Sequence, residues 1–285
     1  MSAEGLQITG LELEINGKEI IQGIDISLQP GKITGLAGES GSGKSMTGLA
    51  ILGLLPEGSR TKGQIQFAGK NLLKNSEKEQ NKLRGNKIAM VFQDPTASLH
   101  PMLTIGRQLT DHLRAHTGIG KKAALEKAVE TLRLVQVPDP KTAIKKYPHQ
   151  FSGGQLQRVA IAIAIICEPE ILIADEPTTA LDVTVQAGVL RLLKQLAEKL
   201  SLAVLLVTHD LGVMSSLAET IYVMRQGQIV ESGPRYEVLR RPQHAYTRAL
   251  VEALPNHEPF LAGAVAATAT EVITVKQLSA GERGN

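Results

Sequence analysis

The chain has 285 residues, enough for one sizeable domain with an appendage and short for two large domains. Hydrophobic residues at 42% and charged residues at 21% exclude a disordered or collagen-like chain. Lys and Arg total 31 against 28 Asp and Glu, a balance too even to argue for nucleic acid as a partner.

The longest apolar run, Val159–Cys167, falls far short of the roughly 20 residues needed to cross a bilayer. Met1–Gly10 carries neither a basic flank nor an apolar core, so no secretory leader is expected. The single cysteine, Cys167, excludes an internal disulfide framework and an all-cysteine metal site, and a reducing cytosol is the natural setting. Aromatic residues are scarce, and the first is Phe67.

In chain order, Leu6–Ile15 and Ile20–Leu28 alternate apolar and polar residues and predict half-buried antiparallel strands. Lys32–Leu36 predicts a short strand entering a Gly/Ser cluster, with Met46–Leu55 an apolar helix beyond it. Gln64–Phe67 and Ile88–Phe92 read as strands, with a charged, solvated helix or loop over Asn75–Arg84 between them. Leu103–Val135 is helical and amphipathic, interrupted at Gly118 and Gly120. Ile171–Ala174 and Ala203–Val207 are fully apolar, as strands inside a parallel sheet should be, and Val183–Leu200 is the helix joining them. Ile221–Met224 and Gln228–Val230 suggest a hairpin around Gln226-Gly227. Beyond Pro255 the periodicity fades into a weakly ordered tail, with one strand conceivable over Val272–Leu278.

Gly38-Glu39-Ser40-Gly41-Ser42-Gly43-Lys44-Ser45 fits a phosphate-binding loop between a strand and a helix. Its glycines let backbone N–H groups curl around phosphate oxygens, and the helix that follows adds its positive end at Met46. Lys44 would reach the β and γ phosphates, and the Ser45 hydroxyl would join a Mg²⁺ shell. Ile171–Ala174 then ends in Asp175 and Glu176: Asp175 would hold the metal, and Glu176 would orient and deprotonate the attacking water. Between these stands Phe151-Ser152-Gly153-Gly154-Gln155, a hydroxyl and two glycines ahead of a helix expected from Leu156. Taken alone it is an ordinary turn and helix cap; in this register it reads as a second phosphate site.

Here the sequence resembles the ATP-binding cassette (ABC) ATPases, whose signature is Ser-Gly-Gly-Gln, and the resemblance covers nearly all of Leu6–Pro255. It implies an α/β fold: a P-loop NTPase (RecA-like) core, an antiparallel β subdomain and an α-helical signature subdomain. The cassette would span residues 1–255 with the helical part near 94–165, leaving residues 256–285 as the tail. By the same resemblance Gln93 would touch Mg²⁺ and the attacking water, and His209 the γ phosphate. Asp182, in Thr179-Ala180-Leu181-Asp182, would lie in the loop that crosses to a partner cassette. The residue that ordinarily stacks an aromatic ring on adenine falls near Ile15, so base selectivity is expected to be weak.

Several segments are similar to the peptide and nickel importer ATPases: Gln93–Pro101, Asp175–Gln186 and His244–Leu250, with His100 and Ala245 departing from the usual Asn and Pro. Peptide-transporting members often hold an iron-sulfur cluster in a Cys-rich C-terminal segment, which a chain with only Cys167 cannot do. That tilts the expectation to nickel import, with dipeptide or oligopeptide import the alternative and a non-transport cytosolic regulatory ATPase the second alternative. The resemblance implies ATP and Mg²⁺, a second ABC ATPase subunit in a heterodimer, two transmembrane permease subunits, and indirectly an extracytoplasmic solute-binding protein. It places the chain peripherally on the cytoplasmic face of the inner membrane.

Overall fold

The computed structural model describes residues 5–179 and 181–254. The expected tail and the strand considered over Val272–Leu278 lie outside the described residues. Two long strands open the fold, β1 (Leu6–Ile15) and β2 (Lys18–Leu28), then β3 (Ile33–Ala37) and helix α1 (Lys44–Leu52). There follow β4 (Ser59–Phe67), the short β5 (Lys70–Asn71), α2 (Glu77–Leu83) and β6 (Ile88–Val91). A run of helices comes next: α3 (Pro95–Ser98), α4 (Ile105–Thr117), α5 (Lys121–Leu134), α6 (Pro140–Ala143) and α7 (Gly153–Ile165). The chain returns with β7 (Ile171–Asp175), α8 (Val183–Leu200), β8 (Ala203–Thr208) and α9 (Leu211–Leu217). It closes with β9 (Thr220–Arg225), β10 (Gln228–Pro234), α10 (Arg235–Arg240) and α11 (Ala245–Glu252).

The strands form two sheets, one ordered β2-β1-β4-β5 and antiparallel, the other β10-β9-β3-β8-β7-β6. In the larger sheet β9, β3, β8, β7 and β6 run parallel, and only β10 is antiparallel. Strands β3, β7 and β8 are buried at every position, so the apolar runs mark a sheet covered on both faces. Each fully buried Leu or Ile there contributes about 1.5–3 kcal/mol. Because the five strands are parallel, the loops after β3, β6, β7 and β8 leave from one end of the sheet, where open α/β sheets hold ligands.

Several expected boundaries move. Helix α1 starts at Lys44, two residues ahead of the apolar stretch, and stops at Leu52, where Gly53 takes a left-handed conformation. Strand β4 starts at Ser59 instead of Gln64, because pairing with β1 overrides its polar sequence: Arg60 and Lys62 lie beside Glu14 and Glu12 and form ion pairs with them. Strand β6 ends at Val91, so Phe92 and Gln93 are already in the loop. The hairpin turn does fall on Gln226-Gly227, both residues at positive φ as a tight two-residue turn demands. Among the described residues no helix is long and apolar enough to cross a membrane.

Candidate nucleotide site

The loop from Gly38 to Gly43 is shaped by contacts only glycine allows. A Cβ on Gly38 would lie 2.1 Å from the Met224 carbonyl oxygen, and one on Gly43 would lie 2.7 Å from the Met224 methyl. Gly43 sits at the N-cap of α1 with no side chain capping the helix, which leaves amide donors facing the loop. The loop closes on itself by an N–H of Ser42 donating to the Glu39 carbonyl at 3.3 Å. The hairpin turn braces it from outside, as the Gly227 N–H donates to the Ser42 carbonyl at 3.0 Å.

Lys44 lies inside this cradle, only 5% exposed, and its ammonium donates to the Gly38 and Glu39 carbonyls at 2.8 Å each. Burial lowers the pKa of Lys44, against the opposing pull of Glu176, Asp175 and Glu39. Next in sequence, the Ser45 hydroxyl donates to Asp175 Oδ1 at 3.1 Å, joining the loop to the end of β7. Burial pushes the Asp175 carboxyl up, and the Ser45 bond and Lys44 only partly offset this. Two hard oxygen donors beside a phosphate cradle, one of them a buried carboxylate short of positive charge, suit Mg²⁺.

Glu176 stands at positive φ directly after β7, with its N–H continuing the ladder onto Val207. Its carboxylate is the hub of the site. It accepts from His209 Nδ1 at 2.9 Å, from the Thr179 hydroxyl at 2.8 Å and from the Gln93 amide at 3.3 Å. Since the carboxylate only accepts, the proton of the neutral imidazole is on Nδ1. Burial pushes the Glu176 carboxyl up, but the bonds from His209 and Thr179, with Lys44 nearby, outweigh it and hold the carboxyl below its ordinary value. Gln93, Glu176 and His209, three loops apart in sequence, are thus one cluster.

Ser152, Gly153, Gly154 and Gln155 are placed elsewhere. Ser152 is the N-cap of α7, which starts at Gly153 and not at Leu156; Ser152 Oγ accepts from the Gln155 N–H, and Gln155 Oε1 accepts from the Ser152 N–H. This end of α7 abuts α8: a Cβ on Gly154 would lie 2.3 Å from Val185 Cγ1. Asp182 caps α8 through a bond from the Val185 N–H at 3.0 Å. Among the described residues no hydrogen bond or ion pair joins Ser152–Gln155 to Gly38–Ser45. Ser152, Gly153 and Asp182 are exposed, and Val183 is 83% exposed. Glu39 and Ser40 are exposed on the loop, and Met46 is half-buried behind it. Ile15 is half-buried at the end of β1, packed on the aliphatic core.

Two residues that contact the site carry no role in the sequence reading. Thr179 sits in a quoted segment, and its hydroxyl on Glu176 follows from a turn closing three residues later. Tyr246 reaches Glu39 from α11, and no local pattern signals a partner so distant in sequence.

A glycine-lined loop holding a buried lysine, with a strand-end carboxylate pair opposite, sits at one end of a mostly parallel α/β sheet, the arrangement expected of a P-loop nucleotide-binding protein. Residues 21–179 match the ABC transporter family model, and residues 230–283 match the model for the oligopeptide/dipeptide transporter C-terminal region. The chain is 47% identical over 240 residues to the dipeptide transport ATP-binding protein DppD of Bacillus subtilis, covering 84% of this chain and 72% of that one. It is 45% identical over 257 residues to the probable peptide ABC transporter ATP-binding protein y4tR of Sinorhizobium fredii, covering 88% and 77%. The fold is similar to the dimeric cassette MJ0796 bound to ADP and Pi, with a TM-score of 0.71 at 27% identity, covering 81% of this chain and 98% of that one. It is also similar to cbiO1 of Clostridium perfringens, with a TM-score of 0.74 at 26% identity, covering 88% and 96%. The chain belongs to the ABC transporter family, and it is an ATPase whose hydrolysis is coupled to transport.

Proposed function

We propose that this chain is an ATP-hydrolysing subunit of a dipeptide or oligopeptide importer. The match of its C-terminal region to the oligopeptide/dipeptide model carries this reading, and both relatives quoted above are named for peptide transport. The expectation of nickel is corrected accordingly. It rested on a missing Cys-rich segment, and nickel is named in none of these comparisons.

ATP would lie along Gly38–Ser45, with the N–H groups of the loop and Met46 at the start of α1 on its phosphates. Ser45 and Asp175 would hold Mg²⁺ with Gln93 at its edge; when bound, the ion supplies positive charge to the phosphate oxygens. Lys44, already anchored by two carbonyls, has its third N–H to give to the phosphate chain. Glu176, kept ionised, takes the proton of the attacking water, while His209 fixes the carboxylate through its Nδ1 proton, with its ring beside the γ phosphate. Ser152–Gln155, which has no bond to its own P-loop among the described residues, would cover ATP held by a second ABC ATPase subunit, forming a heterodimer. Asp182 and the exposed Val183 would lie in that interface.

The helical stretch from Asp94 through α7 would meet two transmembrane permease subunits on the cytoplasmic face of the inner membrane, with a solute-binding protein engaged indirectly from outside. A groove of about 240 Å³ supports this, lined by Leu54, Phe92, Leu99, His112 and Ile163. Leu54 and Phe92 are exposed large hydrophobic side chains there, and Met102 is exposed on the same helical stretch. The test is purification of the tagged chain from its native membrane, followed by reconstitution. Two permease subunits and a second ATPase should copurify, and ATP should drive uptake of labelled dipeptide that excess nickel does not inhibit. Uptake of nickel alone would overturn the peptide reading; recovery without permeases would favour a cytosolic regulatory ATPase.

A further inference from the structure

We propose that Tyr246, on α11, the last helix among the described residues, is a positioning residue for the phosphate loop. Its hydroxyl sets the peptide that anchors Lys44, and so tunes nucleotide affinity.

Tyr246 Oη accepts from the Glu39 N–H at 2.9 Å. That N–H belongs to the same peptide unit as the Gly38 carbonyl, and the Gly38 oxygen accepts from Lys44 Nζ at 2.8 Å. The order is therefore lysine ammonium, peptide oxygen, peptide N–H, tyrosine oxygen. Hydrogen bonds at the two ends of one amide polarise it in the same sense, so each strengthens the other. They also fix the plane of the peptide, which matters where glycine would otherwise turn freely. Gly38 is at φ 153°, outside the range side-chain-bearing residues favour.

Tyr246 is itself held in place. The Arg225 guanidinium lies 4.8 Å from its ring centroid, a cation–π contact from the end of β9. The start of α11 is tied to β10, since Glu231 accepts from the N–H groups of Gln243 and His244 at 2.8 and 3.0 Å. His244 Nδ1 in turn accepts from the Tyr246 N–H at 3.2 Å. The hydroxyl is thus delivered by a fixed scaffold, more than two hundred residues along the chain from the loop it touches. This inference rests on the proposed assignment of Gly38–Ser45 as the phosphate site.

Tyr246→Phe keeps the ring and the Arg225 contact and removes only the oxygen. The expected result for the purified full-length chain is a roughly 3- to 10-fold weaker affinity for ADP by calorimetry, the value of one hydrogen bond. In the assembled transporter, KM for ATP should rise in parallel while kcat stays within about twofold. In the wild type, the Glu39 amide should be protected from hydrogen exchange before any nucleotide is added. Unchanged ADP affinity with a lowered melting temperature would mean that Tyr246 only packs, and would overturn the proposal. An unprotected Glu39 amide would overturn it without any variant. Lys44→Ala run alongside separates the two levels: if it binds ADP like the wild type, the phosphate-site assignment is what fails.

Discussion

At the scale of single residues, Glu176 concentrates the most chemistry. Three side chains from three loops hydrogen-bond its carboxylate, and burial is outweighed by His209 and Thr179, with Lys44 nearby, so that it stays charged. On the proposed assignment it is the base, so Glu176→Gln should lower steady-state ATP hydrolysis by about 10²- to 10⁴-fold while leaving ATP binding intact. Phosphate release in the assembled complex measures this, and normal turnover would end the assignment. The motif residues around it were readable because each motif is short and contiguous. Asp175 and Glu176 follow four apolar residues, and the loop from Gly38 precedes a helix. What could not be read is the meeting of Gln93, Thr179 and His209 on one carboxylate, because strand order decides it and strand order is not written in any single segment. Tyr246 escaped for the same reason: its partner is set by the packing of the hairpin and α11, not by neighbours in sequence.

Among the elements, α7 and α8 matter most for the second half-site. Gly154 lets the first turn of α7 close on Val185, and an added methyl would fall well inside contact distance of a stiff, β-branched side chain. Gly154→Ala should therefore displace the Ser152 end and cost about 1–3 kcal/mol in stability. It should also depress ATP hydrolysis by the complex at least about tenfold and leave ADP binding unchanged. The double variant with Val185→Ala should recover most of both losses. Persistence of the defect in the double variant would show that the contact is not its cause. Element boundaries show where pattern reading stops. Helix α8 falls on the residues its periodicity predicts, whereas β4 reaches back into Ser59–Lys62 because Glu12 and Glu14 of β1 wait opposite. Helices α9, α10 and α11 are too short for periodicity to reveal, and Asp210 and His244 at their starts are weak signals on their own.

For the molecule as a whole, the arrangement of half-sites decides the behaviour. Among the described residues the cradle at Gly38–Ser45 and the cap at Ser152–Gln155 have no bond to each other, and Ser152 and Gly153 are exposed together with Val183. Dilute, monomeric protein should consequently hydrolyse ATP far below the rate of the assembled complex. Its specific activity should rise with protein concentration, and Glu176→Gln with ATP should elute as a dimer in size-exclusion chromatography. Full-rate turnover by a strict monomer would remove the need for a partner. The resemblance in the sequence reached the class of protein, but tilted the solute to nickel. An absent cysteine cluster says less about a transporter than a C-terminal segment that is present and matches.

The position of β3 carries a consequence for how the protein is made. This early strand has β8 on one side and β9 on the other, and the turn after β9 props the loop that β3 feeds. A ribosome working at ordinary speed needs roughly 10 to 40 s to travel from Ala37 to Thr220. From Ser45 until Ala203 the nascent loop has its full motif and neither flanking strand, and β9 is still missing once β8 is complete. The newborn polypeptide acquires a grip on nucleotide late, when translation has passed Gly227, and the motif's early appearance confers no head start.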